Sequence, residues 1–157
     1  MLSIIGCGNV NRKDDGVGIA VVQQLLTFRS KWPKEKVQLF DSGTAGMDIM
    51  FQARGSDALI IIDASNNQSE PGQIFEVPGA ELEALPEPSY NLHDFRWDNA
   101  LYAGRKIFKE EFPAEVTVYL VEAETLEFGI GLSDCVEQSA KRVVELIGER
   151  VETYLNA

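Results

Sequence analysis

The sequence predicts an α/β fold: a three-layer αβα sandwich built on a mostly parallel, twisted sheet of about five strands. Three observations predict it. Short apolar, β-branched runs alternate along the chain with segments of helical periodicity. The run Ala58-Leu59-Ile60-Ile61-Ile62 is apolar throughout, as a central strand covered on both faces must be. The first run ends in Gly6-Cys7-Gly8 and leads directly to a helical pattern, which is the strand, glycine turn and helix of a parallel crossover unit.

Each element has its own warrant. Leu2 to Gly6 reads as a buried strand feeding a tight turn. Val17, Val21 and Leu25, with Val22 and Leu26 beside them, recur at helical spacing, and Asp14 or Asp15 stands where an N-cap belongs. Val37 to Phe40 is a second strand, stopping at Asp41-Ser42-Gly43-Thr44, and Met47 to Ala53 a short helix stopped by Gly55. The central run stops at Asp63. Gln73 to Val77 resumes as a strand that Pro71 and Pro78 confine to a sheet edge or its vicinity. Pro86 and Pro88 make Glu81 to Ser89 an irregular surface loop leading to His93. Trp97, Leu101, Gly104 and Phe108 share one face of the next helix. Val116 to Val121 is the last strand, and Val136, Ala140, Val143, Ile147, Val151 and Leu155 form the apolar stripe of a closing helix begun near Ser133.

Composition narrows the function. At 157 residues, 45% hydrophobic and 25% charged, the chain has the size and balance of one domain spanning 1–157. A net charge of −11 sets its field against phosphate backbones and anionic lipid, so neither nucleic acid nor a membrane surface is the expected partner. The start Met1-Leu2-Ser3-Ile4-Ile5-Gly6 has no basic region and too short an apolar run for a signal peptide, which makes a cytoplasmic protein the expectation. Cys7 and Cys135 form no C-x-x-C pair and read as reduced, structural thiols.

In parallel α/β sheets, ligands bind at the carboxyl ends of the strands. Asp15 follows the first strand's turn, Asp41 ends the second and Asp63 the third, so topology alone puts these carboxylates on one rim. Each also has a plain structural use: Asp14 and Asp15 as helix caps, Asp41 and Asp63 as turn formers. His93, taken alone, is as well suited to packing as to chemistry, yet it is the one imidazole in the chain. If Asp15, Asp63 and His93 converge, two carboxylates and a ring nitrogen make an open site for a divalent transition metal such as nickel or zinc. The Gly6-Cys7-Gly8-Asn9 turn is superficially that of a dinucleotide site, but the third glycine is missing and Asp14-Asp15 stand where a pyrophosphate would seek positive charge. Cys7 with His93 as a thiol and base has no third orienting group.

The ordered set Gly6-x-Gly8-Asn9, Asp14-Asp15-Gly16-x-Gly18, Asp41-x-Gly43-Thr44-x-Gly46, Asp63 and His93, followed by Gly131-Leu132-Ser133, resembles the nickel-iron hydrogenase maturation endopeptidases along nearly the whole chain. The resemblance implies a peptidase that removes a C-terminal extension from the hydrogenase large-subunit precursor after nickel insertion. It implies Asp15, Asp63 and His93 as the metal-contacting residues, with nickel brought by the substrate rather than permanently bound, and leaves Asp41 as a candidate for positioning. The residues by themselves leave two alternatives open: a non-enzymatic metal- or nucleotide-binding module in the same crevice, and a general metallopeptidase holding its own ion.

Overall fold

The computed structural model describes residues 1–44, 46–79 and 97–157, with the side chains of 46, 47 and 97–100 also outside the description. Its described elements run β1 (Leu2–Cys7), α1 (Val17–Leu26), β2 (Val37–Gly43), α2 (Gly46–Ala53), β3 (Ala58–Ser65), β4 (Ile74–Pro78), α3 (Trp97–Phe108), β5 (Glu115–Glu122) and α4 (Asp134–Leu155). The strands form one sheet in the order β2-β1-β3-β5-β4. The pairs β1–β2, β1–β3 and β3–β5 are parallel, and β4 closes the edge antiparallel to β5. Pro78 is thus the last residue of an edge strand, where its missing N–H is tolerated, and Pro71 lies in the turn that leads into it.

Two cores lie on opposite faces of the sheet. Ile4, Ile60, Ile62, Tyr119 and Val121 meet α1 and α4, whereas Ile5, Leu59, Ile61, Val116 and Val118 meet α2 and α3. Alternate residues of one strand thus serve different layers, and β3 is buried at all eight positions. The stripe predicted for the closing helix is real: Val136, Ala140, Val143, Ile147 and Val151 are each fully buried. Burial of each larger aliphatic chain contributes roughly 1.5–3 kcal/mol, so this stripe is what fastens α4 to the sheet.

Three expectations change. β3 does not stop at Asp63 but continues to Ser65, because β5 runs alongside it from Glu115 to Glu122 and supplies hydrogen-bonding partners past the apolar run. β2 likewise does not stop at Asp41 but runs on to Gly43, which pairs with Cys7 of β1, whereas β1 leaves the β3 ladder at the pair Gly6–Ile62. The two strands part there, and Asp63 is the first residue of β3 past the split. The third change concerns α1, whose N-cap is Gly16 with no side-chain cap: Asp14 and Asp15 lie in a 3₁₀ turn over Lys13–Gly16, and both carboxylates are engaged elsewhere.

Candidate active site

The chain leaves β1 toward β2 through α1 on one face, and leaves β2 toward β3 through α2 on the other. The direction of winding thus reverses between β1 and β3, and that switch point is where α/β sheets form their crevice. Glycine builds the crevice wall. A side chain at Gly18 would overlap the carbonyl oxygens of both Cys7 and Ile62, so only glycine lets the first turn of α1 press against the ends of β1 and β3. Gly8, at φ +127°, is held in a conformation that suits glycine; a Cβ there would overlap the Asp15 carbonyl oxygen and lie 3.6 Å from Asp63 Oδ1. Gly8 thus packs on the main chain of Asp15 and lies beside the Asp63 carboxylate.

Both carboxylates are oriented by backbone donors. The Asn9 N–H donates to Asp15 Oδ2 at 2.9 Å, and the Ala64 N–H to Asp63 Oδ1 at 2.8 Å. Asp15 is half-buried, while Asp63 is 5% exposed. By strand alternation with Leu59 and Ile61, Asp63 faces the α2–α3 side of the sheet.

Asp41 has a different location. It is exposed, and alternation with Val37 and Leu39 puts it on the α1 side, away from Asp63. Its Oδ1 accepts the Gly43 N–H at 3.1 Å, closing a turn, and the Gly43 carbonyl in turn accepts the Gly8 N–H at 2.8 Å. Asp41 is thus linked to the first loop through Gly43. His93 lies outside the described residues. Among the described residues no three metal-ligating side chains cluster, so a three-ligand centre on Asp15 and Asp63 needs a donor from beyond them.

Sequence reasoning missed two buried carboxylates. Asp14, with no exposed surface, accepts from the Glu124 and Thr125 N–H groups and from both the N–H and hydroxyl of Ser133, at 2.7–3.1 Å. It joins the first loop to the segment after β5. Nothing local announces this, because every partner is more than a hundred residues away. Glu122, 1% exposed, accepts from the Ser65 hydroxyl and the Asn67 N–H at the end of β5. Its signal was available: it follows the apolar run Val116–Val121 just as Asp63 follows Ala58–Ile62.

A cleft of about 570 Å³ opens at the other end of the sheet, between the amino ends of β1, β3 and β5 at Leu2, Ala58 and Glu115 and the last turns of α4 at Arg150 and Tyr154. There Tyr119 donates to Glu76 Oε1 at 2.6 Å, and Arg150 donates to both. Burial, and after it the Glu76 carboxylate, push the Tyr119 hydroxyl up to about 12. That end of the sheet is opposite to the one at which Asp15 and Asp63 lie.

The sheet order and its switch point between β1 and β3 define a doubly wound α/β protein, a class whose ligands sit at the carboxyl ends of the strands, where Asp15 and Asp63 lie. The hydrogenase maturation protease family model matches residues 19–150. The Hydrogenase 2 maturation protease of Escherichia coli K12 is 32% identical over 145 residues, covering 92% of this chain and 86% of its own length. The structure of the hydrogenase maturating endopeptidase HybD from E. coli superposes with a TM-score of 0.80 at 28% identity, covering 97% of this chain and 92% of its own. An endopeptidase from E. coli solved in solution gives 0.77 at 30% identity, with coverage of 93% and 88%. This chain belongs to the hydrogenase maturation protease family, and it is a peptidase. The family match begins just past Asp15, so that residue's assignment rests on its position beside Gly8 and Asp63.

Proposed function

We propose that this peptidase removes the C-terminal extension of a nickel-iron hydrogenase large-subunit precursor once nickel has been inserted, and that Asp15, Asp63 and His93 grip the nickel the precursor carries. The observation that carries this reading is that Gly8, where β1 parts from β3, packs against the Asp15 main chain and lies beside the Asp63 carboxylate. Two hard oxygen donors and one imidazole suit a borderline divalent ion and leave coordination positions for the substrate's own ligands. The nickel is therefore part of the substrate, and the site is a sensor of its readiness.

Within the chain, the Asn9 and Ala64 N–H groups hold one oxygen of each carboxylate, which fixes their planes before the substrate arrives. A divalent ion seated there can polarise the scissile carbonyl or acidify a water, the two general routes of metal-assisted hydrolysis. Asp41 acts as a positioning residue, holding Gly43 and through it Gly8. The peptidase works in the cytoplasm in this reading; no helix among the described residues is long and apolar enough to cross a membrane.

The test is cleavage of nickel-loaded and nickel-free precursor by the parent and by His93→Ala. Cleavage only of the loaded precursor, and only by the parent, is the expected result. Equal processing in every combination sinks the proposal.

A further inference from the structure

Phe128 is 82% exposed and Ile130 is 86% exposed, the most exposed of the large apolar side chains among the described residues, and Val10 is 46% exposed. A single exposed apolar side chain is ordinary, but these belong to two segments that are hydrogen-bonded to each other. The Lys13 N–H donates to the Gly129 carbonyl and the Gly129 N–H to the Asn11 carbonyl, both at 2.9 Å, with Arg12 and Gly129 bridged in parallel. The first loop and the segment after β5 thus run side by side, and each carries exposed apolar residues.

This paired surface is firmly mounted. Asp14 fastens the segment at Glu124 and Thr125 before Phe128 and at Ser133 after Ile130. Its backbone is ordered before any partner arrives, so binding there has little chain entropy left to lose. It is also continuous with the candidate site, since Asp14 precedes Asp15 and Val10 follows Asn9, whose N–H holds the Asp15 carboxylate.

Charge indicates what this surface accepts. On a chain of net charge −11, Arg12 lies with its guanidinium carbon 5.2 Å from the Phe128 ring centroid and donates Nε to the Leu126 carbonyl. It pairs with no carboxylate among the described residues, while neighbouring Lys13 stands 4.0 Å from Glu127. A cation over an aromatic face, beside two bare aliphatic side chains, complements a segment that carries apolar side chains and a carboxylate.

We propose that Val10, Phe128 and Ile130, with Arg12, form the docking ridge for an extended apolar and acidic segment of the hydrogenase precursor, placed so that the adjoining bond reaches Asp15 and Asp63. This inference rests on the precursor-processing reading above and names the surface that recognises the substrate.

The experiment measures steady-state cleavage of purified, nickel-loaded precursor by the parent, by the double variant Phe128→Ser/Ile130→Ser and by Arg12→Glu, with thermal melting and the oligomeric state of each. The expected result is a KM raised about tenfold or more in the double variant and several-fold in Arg12→Glu, with kcat within about threefold of the parent. Melting should stay near the parent value, because the replaced side chains are already in water. A parent-like KM in the double variant overturns the proposal while the processing reading stands. An unchanged KM with a parent dimer that becomes monomeric in the double variant also overturns it, assigning the ridge to a second copy of this chain. Failure of the parent itself to cleave the loaded precursor overturns both readings.

Discussion

Ser133 donates both its N–H and its hydroxyl to the Asp14 carboxylate, at 2.7 and 2.8 Å, across 119 residues of chain. With the Glu124 and Thr125 N–H groups on the same carboxylate, this contact binds the loop after β1 to the loop after β5 at one buried point. Asp14→Ala leaves four donors without their acceptor and should cost about 3 kcal/mol of stability. Urea unfolding checks the cost. Hydrogen exchange should report faster opening at 124–133 than in α4, and uniform protection would show that Asp14 is not the fastener.

Gly8→Ala should be far more damaging than Gly43→Ala, although both glycines have positive φ, +127° and +53°. At Gly43 nothing lies within 4 Å of an added Cβ, so the cost is conformational, about 1 kcal/mol. At Gly8 the new atom overlaps the Asp15 carbonyl, and the loop must move. A loss of about 2 kcal/mol or more is expected, together with loss of cleavage. Equal melting of the two variants would contradict the crowding.

Asp15→Asn and Asp63→Asn should each lower cleavage of nickel-loaded precursor by about 100-fold or more, since each removes an anionic donor to the incoming ion. The melting point of Asp15→Asn should stay close to that of the parent, because the amide oxygen can still accept from Asn9. Retained cleavage in either variant would remove that residue from the site.

Asp41→Ala opens the turn that holds Gly43 against Gly8, and should slow cleavage by about tenfold through misplacement of the first loop. Asp41→Asn keeps an acceptor for the Gly43 N–H and should restore most of the rate. If the asparagine variant is as slow as the alanine variant, the negative charge matters and Asp41 has a chemical part.

Tyr119 and Glu76 predict the pH limits of stability. The folded chain holds the Tyr119 proton up to about 12 against an ordinary 10.0, so this contribution is complete below pH 10 and is lost as pH rises to about 12. The Tyr119 hydroxyl, and then Arg150, hold the Glu76 carboxyl below its ordinary 4.5, so that contribution is present above 4.5 and is lost as pH falls through the folded value. Tyr119→Phe should flatten both limbs in urea unfolding followed against pH. An unchanged alkaline limb would place the phenol in water.

Much of the fold was legible because burial writes itself into local periodicity. A strand covered on both faces is apolar throughout, as in Ala58–Ile62, and a helix packed on one side repeats its apolar residues as α4 does. Those patterns report which surface leaves water and nothing about what covers it. Hence the length of β3 was underestimated: Asp63, Ala64 and Ser65 are strand because β5 lies beside them, a fact absent from their own identities. The capping assigned to Asp14 or Asp15 was the best local use of an aspartate before a helix, and it lost to partners at 124, 125 and 133 that only folding supplies.

The sequence by itself determined the alternation of strands and helices, the glycines of the first loop and the order of the carboxylates along the chain. Only the tertiary structure decided that β1 parts from β3 after Gly6, that Gly8 packs on the Asp15 main chain beside the Asp63 carboxylate, and that Asp14 is a fastener. The physical reason is that side-chain periodicity is a local property of the backbone, whereas the convergence of charged groups depends on strand order and close packing between segments distant in sequence.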